Sequence, residues 1–114
     1  MSDKPKITDS HCHLDFPDFN DDLSEIINNA LQNGVCRMVT ICTRLKNEPL
    51  VRKISEDYKA VYYAAGNHPM SVSSEPMANF NELISLSKHP KFIAIGETGL
   101  DYYYTSETAE AQKK

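Results

Sequence analysis

Ile7-Thr8-Asp9-Ser10-His11-Cys12-His13 is the stretch from which the rest of the chain is read. It reads as a first strand ending in two histidines one residue apart. Strand residues two apart point to the same face. Both imidazoles therefore stand side by side at one strand end, within reach of a single metal ion, and neutral histidine is the commonest protein metal ligand. Asp9 shares their parity and is expected beneath them as a hydrogen-bonding support for the ligands. Cys12 points the other way. The competing structural reading is a pair of hydrogen-bonded surface histidines.

Downstream, helical and strand patterns alternate. Leu23, Ile26, Ile27, Ala30 and Leu31 recur at helical spacing, with Asp21 or Asp22 able to cap the start and Gly34 suited to the end. A second strand is expected over Arg37–Cys42. A second helix starts near Asn47, with Pro49 in its first turn and Leu50, Val51, Ile54 and Tyr58 facing inward. Ala60–Ala65 reads as a third strand running into Gly66-Asn67-His68-Pro69. A third helix carries Phe80, Leu83 and Ile84 and stops at Pro90. Phe92–Ile95 reads as a fourth strand running into Gly96-Glu97-Thr98-Gly99-Leu100-Asp101. The polar tail from Thr105 to Lys114 looks like the start of another helix.

This β-α-β-α-β-α-β order implies parallel strands with right-handed crossovers. Every polar cluster falls at the carboxyl end of a strand, where ligands bind in barrels and open α/β sheets. A closed eight-stranded barrel needs roughly 200 residues or more. With 114 residues and four strands, the sequence has the texture of the N-terminal half of a TIM-type (β/α)8 barrel. A small open sheet is the alternative.

The formal charge is −4, with 40% hydrophobic and 25% charged residues. That argues against bulk electrostatic capture of nucleic acid. It leaves room for a phosphate substrate if divalent metals supply positive charge locally. No apolar run approaches the ~20 residues that span a bilayer, and Met1-Ser2-Asp3-Lys4-Pro5-Lys6 is polar, so a cytoplasmic, non-membrane protein is expected. The cysteines Cys12, Cys36 and Cys42 are odd in number and read as small buried hydrophobes.

If the fourth strand runs on, Ile93, Ile95, Glu97, Gly99 and Asp101 share one face, placing Glu97 at the rim opposite the histidines. A carboxylate there can bridge two metals about 3.5–4 Å apart; otherwise it caps a turn or pairs with a lysine. His68 either hydrogen-bonds a substrate phosphate or pins its own loop. Asp101 either orients a ligand or water, or satisfies loop amides. His89, at the opposite rim, reads as structural. Tyr102, Tyr103 and Tyr104 read as packing or as a surface for stacking bases. His and carboxylate donors suit Zn²⁺, Mn²⁺ or Fe and, less well, Mg²⁺.

Asp9-Ser10-His11-Cys12-His13-Leu14, Gly66-Asn67-His68-Pro69 and Gly96-Glu97-Thr98-Gly99-Leu100-Asp101-Tyr102 together resemble the TatD family of metal-dependent deoxyribonucleases, over nearly the whole chain. The resemblance implies residues 1–114 as the N-terminal part of a single, incomplete barrel domain, and hydrolysis of DNA phosphodiesters by metal-activated water. His11 and His13 would bind one metal and Glu97 would bridge two, acting as the catalytic carboxylate. His68 would contact substrate, with Asp9 and Asp101 supporting. The cofactors would be Zn, Mg or Mn, two per complete site, and the substrate DNA, as single strands or strand ends. The family's further ligands, two histidines and an aspartate on later strands, have no counterpart here, although Gln112 resembles a family glutamine. The expectation is thus a half-built site: part of a longer protein, one of two associating halves, or an inactive module. Another amidohydrolase-type activity is the alternative chemistry.

Overall fold

A computed structural model describes residues 5–104 and 106–114. Met1 to Lys4 and Thr105, used in the readings of the N-terminus and the tail, lie outside the described residues. The elements are β1 (Ile7–Cys12), α1 (Leu23–Gln32), β2 (Val35–Cys42), α2 (Glu48–Asp57), β3 (Val61–Ala65), α3 (Phe80–Ser87), β4 (Phe92–Ile95) and α4 (Ala109–Gln112). The strands form one parallel sheet in the order β1-β2-β3-β4. This is the α/β arrangement of parallel βα repeats read from the sequence.

The core lies between sheet and helices. Ile27 of α1 and Ile54 of α2 pack on Leu14, Met38 and Val61, with Leu23, Ala30, Val35 and Tyr58 at the edge. Val51, Cys42, Tyr63 and Ala65 form a second cluster that takes in Leu45 and Phe92. Val39, Ile41 and Ala64 form a separate cluster; strand alternation puts them on the opposite sheet face. β2 and β3 are buried by neighbours on both sides, whereas the edge strands carry exposed apolar residues: Ile7 at 48%, Ile93 at 52% and Ile95 at 55% exposure.

Several local expectations are corrected. β2 begins at Val35, two residues early, because pairing starts where the Ile7 amide donates to the Gly34 carbonyl at 2.8 Å. Asp22 is the N-cap residue of α1 but its side chain makes no capping hydrogen bond. Leu50 does not face inward; it is 50% exposed, and α2 instead buries Glu48 and Ser55 with Val51 and Ile54. Phe80 is 76% exposed, and α3 is held at its start by a capping box between Asn79 and Glu82.

Register breaks in both edge strands override strict alternation. β1 carries an extra residue between Asp9, paired with Met38, and Cys12, paired with Thr40. Paired residues of parallel strands share a face, so Asp9 does not lie in line beneath His11. In β4, the pairing slips between Tyr63–Phe92 and Ala64–Ala94, which aligns Ile95 with Ala65 on the helix-packed face. Ile95 accordingly lines a cleft with Val72 and Leu83. Ile95 and Glu97 do not form one inward row; the turn after Ile95 redirects Glu97.

Candidate metal centre

Four side chains meet at the carboxyl end of the sheet. His11 is the penultimate residue of β1 and His13 lies one residue beyond the strand, their ring centroids 5.0 Å apart and nearly perpendicular. Nδ1 of His13 is 3.2 Å from the Ile41 carbonyl. A carbonyl only accepts, so Nδ1 carries the proton and Nε2 keeps its lone pair. Phe16 stacks on this ring at 4.7 Å and 13°, helping to fix its orientation.

Glu97 reaches the same place from the loop after β4. Its Oε2 is 3.4 Å from Nε2 of His11 and its Oε1 is 3.2 Å from Nε2 of His68. The Met70 amide donates to Nδ1 of His68 at 3.0 Å. The His68 lone pair is therefore used within its own turn, and its Nε2–H donates to Glu97. One ligand atom from each of His11, His13 and Glu97 lies within 4.8 Å of the others. Two imidazoles and a carboxylate, converging and partly exposed, are a donor set that fits a divalent ion such as Zn²⁺ or Mn²⁺.

Local backbone chemistry places these groups. A Cβ on Gly66 would meet Thr98 Cγ2 at 3.1 Å and the Gly96 nitrogen at 3.3 Å, so the bare glycine lets the exits of β3 and β4 touch and brings His68 beside Glu97. Gly99 has φ +130°, a conformation side chains disfavour. Beyond it, buried Gln112 accepts from the Asp101 amide at 2.7 Å and donates to the Asp101 carbonyl at 2.8 Å. On the β3 side, Asn67 donates to Glu75 at 3.0 Å and accepts from the Ala78 amide at 2.9 Å. Glu75 also accepts from the Leu45 amide at 3.2 Å, tying two rim loops together.

The supporting residues named from the sequence act on backbone. Asp9 Oδ1 accepts from the His11 amide at 3.1 Å, and Asp101 Oδ1 accepts from the Tyr103 amide at 2.9 Å. Asp101 lies outside the converging group. Cys12 packs at the edge of the helix-side core, donates to the Val39 carbonyl at 3.4 Å, and has its thiol pushed up to about 12, first by burial and then by Asp9. It is not a ligand of this group. His89 binds Glu56 at 3.0 Å and accepts from the Lys91 amide at 3.1 Å.

Sequence reading assigned no role to Phe16, Glu75 or Asp15, and quoted Asn67 only within the motif around His68. Asp15 Oδ1 is buried without a hydrogen-bond partner among the described residues, and burial pushes this carboxyl upward. The only sequence signal for Asn67 and Glu75 was their position around His68-Pro69, since their bonds join segments eight to thirty residues apart.

The family described as TatD related DNase matches residues 8–114. An uncharacterized metal-dependent hydrolase of Buchnera aphidicola subsp. Acyrthosiphon pisum, BU355, is 34% identical, the match covering 94% of this chain and 44% of that protein. Uncharacterized metal-dependent hydrolase YjjV of Escherichia coli K12 is 32% identical over 95% of this chain and 42% of its own length. YabD of Bacillus subtilis, named in the same words, is 31% identical over 93% and 42%. The crystal structure of YjjV, a TatD homolog, superposes with a TM-score of 0.79 and 28% identity, covering 94% of this chain and 42% of that one. The chain spans less than half the length of these relatives, and its four strands match that portion of a TatD-type TIM barrel. With 107 of its residues under one family match, this chain belongs to the TatD-related DNase family.

Proposed function

We propose that this chain supplies the N-terminal part of a metal-dependent phosphodiesterase acting on DNA, as single strands or strand ends. The convergence of His11, His13 and Glu97 at the carboxyl end of the sheet carries the reading, supported by relatives named metal-dependent hydrolases. His13 Nε2, His11 and a Glu97 oxygen are the groups that would hold the ion, Zn²⁺, Mn²⁺ or Mg²⁺, with two ions in a complete site. A divalent ion bound there supplies an acidified water and charge stabilisation at a phosphoryl oxygen. The protein's own part is orientation: Ile41 holds the His13 ring and His68 holds Glu97. Both ring nitrogens of His68 are engaged, so its contact to the substrate phosphate would be made by passing the Nε2–H from Glu97 to a phosphate oxygen once Glu97 holds the ion.

The test uses the purified chain. Metal content is measured by mass spectrometry, and Mn²⁺-dependent cleavage of an end-labelled single-stranded oligonucleotide is followed on gels. His11→Ala and Glu97→Gln are expected to lose bound metal and cleavage together. Cleavage at equal rates in both variants and the parent rejects the reading.

A further inference from the structure

We propose that the cleft between the β1–α1 and β2–α2 loops is a nucleotide subsite beside the metal centre, with Arg44 holding a phosphate and Phe16 stacking a base. It rests on the phosphodiesterase reading above and adds a place for the nucleotide next to the bond that is cut.

The cleft has a volume of about 410 Å³ and is lined chiefly by Asp15, Phe16, Asn20, Thr43, Arg44 and Asn47. Pockets for small ligands run roughly 300–1,000 Å³, so one nucleotide fits. Asp15 and Phe16 follow the end of β1 and Thr43 and Arg44 follow the end of β2. The cleft therefore opens at the sheet end that carries His11, His13 and Glu97. Phe16 is the shared wall: one ring face stacks on His13, and the residue is still partly exposed in the cleft.

Two independent features specify the ligand. Arg44 is exposed and pairs with no carboxylate among the described residues. An unpaired guanidinium in a chain of net charge −4 is a local anchor for a phosphate, which it can bind with two parallel hydrogen bonds. Phe16 offers an aromatic face, which stacks on any base. Thr43, Asn20 and Asn47 add neutral donors and acceptors around them.

The test measures fluorescence anisotropy of 5′-fluorescein-labelled hexathymidylate and of an abasic strand of the same length, in EDTA so that nothing is cleaved. The thymidylate strand is expected to bind the parent chain more tightly than the abasic one. Arg44→Ala weakens both about tenfold and lowers the salt slope by about one. Phe16→Leu weakens only the thymidylate strand, about tenfold. Both positions are partly exposed, and circular dichroism checks that the variants fold. Dissociation constants within twofold of the parent in both variants, or no binding by the parent, overturn the subsite. Mn²⁺-dependent cleavage separates the two claims. Cleavage without any dependence of affinity on Arg44 and Phe16 removes the subsite alone. Binding that depends on both residues, without cleavage, removes the hydrolase reading alone.

Discussion

Nε2 of His68 lies 3.2 Å from Oε1 of Glu97, and the direction of the proton is set because the Met70 amide occupies Nδ1. His68 thus orients the carboxylate that meets His11 at 3.4 Å on its other oxygen. Outer partners of metal ligands typically carry about 10–100-fold in metal affinity. His68→Ala is expected to weaken Zn²⁺ binding about tenfold by calorimetry, while His68→Gln, which keeps a donor, recovers part of the loss. Affinity unchanged in the alanine variant rejects this role.

Gly66→Ala tests the contact between the two loop exits. Its Cβ would lie 3.1 Å from Thr98 Cγ2 and 3.3 Å from the Gly96 nitrogen. The side chain can turn aside; the backbone nitrogen cannot without moving the segment that bears Glu97. Overpacking of this kind costs about 1–3 kcal/mol. The urea midpoint should fall, and Zn²⁺ affinity should fall with it. Gly99→Ala meets nothing within 4 Å but must adopt φ +130°, so it should lose stability through strain alone.

Tyr63→Phe isolates a buried polar pair. The Tyr63 hydroxyl donates to Glu48 Oε2 at 3.1 Å, and Arg52 Nε stands 3.5 Å from the other oxygen. Burial, then Glu48, raise the phenol above its ordinary range. Removing the hydroxyl leaves one buried carboxylate oxygen without its donor, a loss of about 1–3 kcal/mol. Equilibrium urea unfolding reads it directly, and an unchanged midpoint would show that Arg52 or water replaces the bond.

Alkaline pH should weaken the fold in part through Cys42. Burial pushes its thiol from 9.0 up to about 12, so the folded state keeps the proton after the unfolded chain has released it. The contribution is fully present below pH 9 and disappears as pH rises toward 12. The parent's urea midpoint should therefore drop more between pH 8.5 and 11 than that of Cys42→Ala. In the native state Cys42 should also resist iodoacetamide at pH 8.5, read by peptide mass spectrometry.

The elements were legible wherever one local pattern dominated. The i, i+3, i+4 stripe around Ile27, the run from Met38 to Cys42 and the glycine-rich exits after β3 and β4 all mark their structures. The stripe assigned to α2 failed at Leu50 because helical spacing cannot tell the packed side of a stripe from its margin; the position of β2 and β3 under the helix decides that. Asp9 and Ile95 were misplaced for one reason. Alternation assumes an unbroken register, and each edge strand contains an irregularity that depends on its partner strand.

The sequence by itself determined the chemistry available: two histidines one residue apart, a glutamate between glycines, a histidine before proline, and βα repeats that bring strand ends to one side. Those follow from residue type and local spacing. Only the tertiary structure decided which atoms meet. The Ile41 carbonyl selects the His13 nitrogen left free, the Met70 amide turns the His68 proton toward Glu97, and Gly66 sets how closely two loops approach. Each contact joins backbone groups and side chains whose relative positions are set by packing and strand register, and a hydrogen bond's direction depends on the partner that packing brings to it.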